Sequence, residues 1–150
     1  PGLREPRPGD IIVFRFPSEK DDYIKRCVAV GGQTLEVRNG AVYLDGQPQS
    51  EDYTKYIYGD QPGRAARNFG PYLVPEGKIF MMGDNRDNST DSRDQSPRYG
   101  VGYVPLENFI GRADIIFFSA AVDEPGRFEL TRPWTWPFDI RWNRIFSLVR

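Results

Sequence analysis

Turn signals cut this sequence into apolar runs that are long enough for strands and too short for most helices, and that rhythm limits the fold more than any single motif. Residues 10–16 are apolar and β-branched between Pro8-Gly9 and Pro17, and 23–30 follow a charged turn at 18–22. Residues 34–38 and 41–44 flank Asn39-Gly40, the pair best suited to a two-residue type I′ hairpin, and Asp45-Gly46 turns the chain again. Asn68-Phe69-Gly70-Pro71 and Pro75-Glu76-Gly77 bracket a short strand. Residues 78–82 read as a buried strand, and 112–119, with the run Ile115-Ile116-Phe117-Phe118, as a last core strand. With 15 glycines and 13 prolines among 150 residues, helix is confined to short pieces. One is a single turn at 106–110. The other is a terminal stretch at 141–150, where Trp142, Ile145, Phe146 and Val149 fall at i, i+3, i+4 and i+7. The expected fold is mainly β, built of antiparallel sheets with short helices and a C-terminal amphipathic helix.

What is missing narrows the chemistry. The chain has no histidine, which removes the Ser-His-Asp triad, the Cys-His pair and most zinc hydrolase sites. A hydrolase built on it needs a carboxylate or a lysine as its base. The single cysteine, Cys27, excludes an internal disulfide and a cysteine-rich zinc site, and its place in a strand reads as a small buried hydrophobe. Net charge is −1 with no basic block, so nucleic acid is not an expected partner. No apolar run approaches the roughly 20 residues that span a bilayer. The chain opens on Pro1, and a piece of something longer is the expectation.

Chemistry concentrates in Gly83-Asp84-Asn85-Arg86-Asp87-Asn88-Ser89-Thr90-Asp91-Ser92-Arg93, directly after the 78–82 strand. By composition it is a solvated turn. Against that, arginines and aspartates alternate as in a folded ion-pair network, with a small hydroxyl, Ser89, among them. Asp87, Ser89 and Asp91 also have the i, i+2, i+4 spacing of calcium ligands. Arg86 and Arg93 flank those oxygens, however, and the turn glycine and terminal glutamate of a calcium loop are missing. No metal or other cofactor is expected.

A lysine, Lys25, interrupts the apolar run at 23–30. Period two places it with Tyr23 and Cys27, and places Arg26 on the opposite face with Ile24 and Val28. An edge-strand lysine reaching to water is the plain reading. The alternative is useful chemistry: a lysine of ordinary pKa is neutral about once in 2,500 at pH 7, and burial lowers that pKa by up to about 3–5 units. A hydroxyl such as Ser89 can aim the neutral amine. Tyr53, Tyr56 and Tyr58 lie in a polar surface excursion at 47–67, where they either shield packing or line a binding surface.

Gly9-Asp10-Ile11-Ile12-Val13-Phe14, Tyr23-Ile24-Lys25-Arg26, Asn68-Phe69-Gly70-Pro71, Gly83 through Arg93, and Tyr103-Val104-Pro105 together resemble the ordered motifs of bacterial type I signal peptidases, over roughly residues 8–119. These are membrane-anchored Ser-Lys endopeptidases that remove signal peptides from exported preproteins, and their sheets are of the signal-peptidase/LexA-like type. The resemblance implies that Lys25 is the general base and that Ser89 orients it. It also implies that Arg26, Asp84, Arg86, Asp91 and Arg93 form the polar scaffold. It divides the chain into a catalytic β core (8–38 and 78–119), an inserted hairpin or cap (39–77) and a C-terminal tail (120–150). Implied partners are signal peptides and the membrane lipid surface; the implied location is the bacterial plasma membrane, with the catalytic domain on its extracytoplasmic side. The tail's Arg141, Arg144 and Arg150 lie off its apolar stripe, as suits either a membrane interface or docking on the domain.

The family's nucleophile occupies a Ser-x-Met-x-Pro motif upstream of the Gly-Asp strand, and no serine or methionine precedes Gly9. Neither Ser18 nor Ser89 sits in such a motif. The family's oxyanion donors come from the same upstream segment. Gly31-Gly32-Gln33 replaces the usual Pro-Gly-Asp turn, and the loop at 94–102 is longer than usual. The chain as given is therefore expected to be inactive alone. A degenerate relative that binds extended peptides or membranes without cutting is the alternative, and a LexA-like self-cleaving regulator has less in its favour.

Overall fold

The computed structural model describes residues 4–16, 21–56, 67–97, 99–113 and 148. The chain divides into two compact units, Pro1–Arg112 and Ala113–Arg150, and nearly all described residues belong to the first. Its strands are β1 (Ile11–Arg15), β2 (Asp22–Val30), β3 (Thr34–Arg38), β4 (Ala41–Leu44), β5 (Gln47–Pro48), β6 (Phe69–Leu73), β7 (Lys78–Met82), β8 (Val104–Pro105) and β9 (Phe109–Arg112), with a 3₁₀ turn at Leu106–Asn108. They form a five-stranded sheet in the order β8-β7-β2-β1-β9 and a four-stranded sheet in the order β5-β4-β3-β6, with every pairing antiparallel.

β7 and the second half of β2 are buried on both faces, which explains their unbroken apolar spelling. Cys27, Ile79 and Met81 pack with Ile12, Phe14, Phe16, Val101 and Val104. Phe80 and Met82 face the other way, into a cluster with Leu35, Val37, Val42, Leu44 and Val74 of the smaller sheet region. A register shift between Cys27 and Ala29 adds a residue to β2, and both Val28 and Ala29 then join that second cluster. Each fully buried Phe or Met here contributes about 1.5–3 kcal/mol of burial free energy.

The Asn39-Gly40 hairpin forms as expected: both residues have positive φ (49° and 88°), and Val37 pairs Val42 across it. Asp45 and Gly46 repeat the device between β4 and β5. Two boundaries move. The strand expected between Pro71 and Pro75 begins earlier, at Phe69, because Phe69 packs on Phe80 with ring centroids 5.0 Å apart. The last described strand starts at Phe109 rather than at Arg112, and pairing with β1 holds it. Residues 114–119, Tyr58 and the 141–147 part of the amphipathic stretch lie outside the described residues.

β2 positions the site. It pairs with β1 along Asp22–Arg26, but with β7 only from Arg26, opposite Met82, to Val30. The chain leaves β7 at Gly83, beside the part of β2 that carries Ile24 and Lys25.

Candidate active site

The loop after β7 is closed at its neck by a serine. Ser92 donates its backbone N–H to the Met81 carbonyl (2.9 Å), and its Oγ accepts the Met81 N–H (2.9 Å). Inside the neck, the Asp91 carboxylate takes Arg93 in a two-pronged grip (Nε to Oδ1, 2.9 Å; Nη2 to Oδ2, 2.7 Å) and accepts the Gly83 N–H at 3.1 Å. Arg93 Nη2 also donates to the Arg86 carbonyl at 2.7 Å. Asp91 therefore spends its oxygens on the Arg93 guanidinium and on two backbone amides, those of Gly83 and Arg93. Both side chains are buried, at 1% and 4% exposure. Removing one partner from such a pair costs about 3–5 kcal/mol.

A second grip ties the loop to β2. Arg26 donates Nε and Nη2 to the two oxygens of Asp84, both at 2.8 Å, and Nη1 to the Gly9 carbonyl at 2.9 Å. One guanidinium thus fixes both the segment entering β1 and the start of the loop. Asp10 steadies that segment by accepting from Arg4 (2.7 and 2.8 Å) and from the Arg7 N–H. Burial pushes the Asp10 carboxyl up, but these bonds and the nearby Arg4 and Arg112 charges outweigh it, and its pKa is lowered.

A third grip was not foreseen. Arg86, expected as part of the polar scaffold, reaches out of the loop to Glu51, with Nη1 to Oε2 at 2.7 Å and Nη2 on Oε1. Tyr53 donates its hydroxyl to Glu51 Oε1 at 2.9 Å and lies under the Arg26 guanidinium, 3.6 Å from its ring centroid. Lys55 adds backbone bonds, its N–H to the Asp84 carbonyl and its carbonyl from the Arg86 N–H. Residues 51–55, part of the stretch taken for a surface excursion, are thus bonded to the loop and to Arg26. Only the spacing Glu51-x-Tyr53 signalled it, and that pattern has no meaning until the distant Arg86 and Arg26 are placed. Tyr56 has a structural use, its hydroxyl donating to the Gly40 carbonyl at 2.9 Å.

The Arg26–Asp84 pair borders a cleft of roughly 340 Å³ lined also by Ile24, Lys25, Gly83 and Ser89, among others. Arg26 and Lys25, expected to point apart, both border it. They differ in partner: no hydrogen bond or ion pair of the Lys25 amine is found among the described residues, and it lies over the Tyr23 ring, 6.0 Å from the centroid. Burial lowers the Lys25 pKa; attraction to Asp91 opposes the shift and repulsion from Arg93 adds to it. Ser89 Oγ and Asn85 Oδ1 are buried with no hydrogen-bond partner among the described residues. The expected bond from Ser89 to Lys25 is not formed, although both groups line the same cleft. Gly83 makes room for Ser89, since a methyl group at Gly83 would run into the serine's Cβ and Oγ.

Two other places are poorer candidates. A groove of about 600 Å³ beside β3 and β6 is lined by Phe69, Tyr72 and Tyr103, with no free base or nucleophile among its described walls. Cys27 is buried, its thiol pushed up to about 12 by burial and by the Asp10 charge, so it stays protonated and inert.

Comparisons with known proteins bear on the family and the fold. A family model described as signal peptidase, peptidase S26, matches residues 1–118. The chain is 34% identical to signal peptidase I of Rickettsia akari, over 95% of this chain and 65% of that protein. It is 41% identical to a probable signal peptidase I-1 of Synechocystis, over 77% of this chain and 57% of that protein. It therefore spans about two thirds or less of these relatives' own lengths. The crystal structure of a signal peptidase I from Enterococcus faecalis superposes with a TM-score of 0.60 at 28% identity, covering 74% of this chain and 98% of that one. Antiparallel sheets, the loop from Gly83 to Arg93 and the matched family model lead to one conclusion: the chain belongs to the signal peptidase family, peptidase S26.

Proposed function

We propose that this chain is the base-bearing part of a type I signal peptidase, an endopeptidase that removes signal peptides from exported preproteins with a Ser/Lys pair. Lys25 is the general base, Ser89 its positioning residue, and the nucleophilic serine comes from sequence preceding Pro1. Alone, the chain is then inactive. The observation that supports this reading is that the Lys25 amine, its pKa lowered by burial, shares a cleft with the buried Ser89 hydroxyl, and neither has a hydrogen-bond partner among the described residues.

The chemistry follows from those groups. The neutral amine takes the proton of the incoming serine as its oxygen attacks the scissile carbonyl. The resulting ammonium then protonates the leaving amine. Water, deprotonated by the same lysine, releases the acyl group and regenerates the serine. Hydrogen bonds at such sites are commonly long before substrate arrives and tighten in the complex, which accommodates the open Ser89–Lys25 geometry. Arg26 supports the upstream placement of the serine, because its bond to Gly9 holds the segment through which that chain must enter.

Asp22–Lys25 has no strand partner on its β7 side among the described residues, and Ile24 there is 57% exposed. An extended signal peptide adds to that edge, its small residues before the cut facing the shallow cleft. The proposed location is the outer face of the bacterial plasma membrane, with the tail at 120–150 meeting lipid. No helix among the described residues is long and apolar enough to cross a membrane.

The test is cleavage of a peptide carrying an Ala-x-Ala site by the full-length protein. Lys25→Ala is expected to abolish it, as is alanine at the upstream serine. Undiminished cleavage by Lys25→Ala overturns the mechanism, and a full-length protein that binds the peptide without cutting it establishes the non-catalytic relative instead.

A further inference from the structure

We propose that Glu51 and Tyr53 are positioning residues for the cleft: a brace from the segment after β5 that sets where the loop from Gly83 to Ser89 stands relative to Lys25. The inference rests on the base assignment proposed above and extends it to residues outside the loop and its strand.

Three observations carry it. First, Glu51 joins two arginines that would otherwise act separately. It accepts both Nη groups of Arg86 and the hydroxyl of Tyr53, while the Tyr53 ring supports Arg26, whose guanidinium grips Asp84. Secondly, the side chain of Arg86 is 1% exposed and Glu51 is its carboxylate partner. Without Glu51 a buried guanidinium must move or draw in water. Thirdly, a movement of Arg86 reaches the site. Its Nε donates to the Gly83 carbonyl at 3.2 Å, its own carbonyl accepts from Arg93, and Gly83 is packed directly against Ser89.

A structural role alone would stabilise the fold without affecting the reaction. A positioning role predicts more. Misplacing a reacting group by about 1 Å costs on the order of 100-fold in rate, even when the cause lies outside the chemistry. A displaced loop also uncovers Lys25, so the amine regains water and its pKa rises.

The experiment uses the full-length protein and an Ala-x-Ala peptide. Glu51→Gln is expected to lower kcat about 100-fold with KM changed by less than about twofold, and to move the acid limb of kcat/KM to higher pH. Tyr53→Phe, which keeps the ring under Arg26 and removes one hydrogen bond, is expected to cost about three- to tenfold. Should Glu51→Gln fold poorly, the double variant Glu51→Leu/Arg86→Met replaces the ion pair with apolar packing. Melting temperature is expected to recover in that variant while kcat stays low. Recovery of kcat and of the acid limb together with stability overturns the brace. The two proposals fail differently. If wild type does not cleave, or Lys25→Ala cleaves normally, the base assignment falls, and the brace is then judged by amide exchange. Glu51→Gln is expected to lose protection at the Arg86 amide while β1 keeps its own; unchanged protection at Arg86 overturns the brace.

Discussion

In the ion-pair frame beside the cleft, its rim, Arg26, Arg86 and Arg93 each grip a carboxylate with two nitrogens, whereas in the cleft Lys25 forms no ion pair and Ser89 Oγ and Asn85 Oδ1 are buried without a hydrogen bond among the described residues. Rim and interior are built from the same polar residue types and lie a few residues apart. Buried polar groups are ordinarily satisfied, because leaving one unmade costs about 1–3 kcal/mol. Unmade bonds gathered in one cleft, beside a network with so many made, mark a place prepared for groups that arrive later. The rim supplies the rigidity that lets the interior stay incomplete.

The largest expected effect separates the two lysine readings. In the full-length protein, Lys25→Ala is expected to lower kcat/KM by about 10³- to 10⁴-fold with the circular-dichroism spectrum unchanged. A loss below about tenfold would make Lys25 another surface lysine. On the rim, Arg93→Met leaves Asp91 buried without its cation and is expected to cost about 3–5 kcal/mol in urea unfolding. A cost under about 1 kcal/mol there would mean that the rim is not what holds the loop.

Two serines three positions apart sharpen the contrast further. Ser92 Oγ accepts the Met81 N–H, so Ser92→Ala is expected to cost about 1–3 kcal/mol of stability. Ser89→Ala removes a buried hydroxyl with no partner and is expected to leave stability unchanged or raised while lowering kcat about tenfold. Equal stability costs for the two would erase the distinction between rim and interior.

The smallest effect concerns the lysine's own cost to folding. Burial lowers the Lys25 pKa below its ordinary 10.5, so the folded state binds its proton less tightly than the unfolded state. Below the folded value both states are protonated and the penalty is complete; as pH rises toward 10.5 the unfolded state binds more protons and the penalty is relieved. Lys25→Met is accordingly expected to gain on the order of 1 kcal/mol near pH 7, a figure kept low because the amine retains solvent contact, and the gain fades near pH 10. A gain that grows with pH has the wrong sign and removes burial as the cause.

The sequence was most legible where causes are local. Asn39-Gly40 needs only its own backbone to specify a hairpin, and the spelling of β7 needs only burial on both faces. The loop from Gly83 to Arg93 announced its ion pairs because Asp91 and Arg93 are near neighbours. Glu51 and Tyr53 stayed hidden because their partners are remote in sequence and fall into place only when β5, β2 and β7 have assembled. The displaced register of Val28 and Ala29 was hidden for the same reason, since one added residue is visible only against the opposing strand.

The most direct test of the central claim is an NMR titration of the Lys25 side-chain amine, assigned by the signal lost in Lys25→Arg. The account expects a midpoint clearly below 10.5, moving back toward that value when the loop is displaced by Glu51→Gln. A midpoint at or above 10.5 would contradict it, because a fully charged amine at neutral pH is no base.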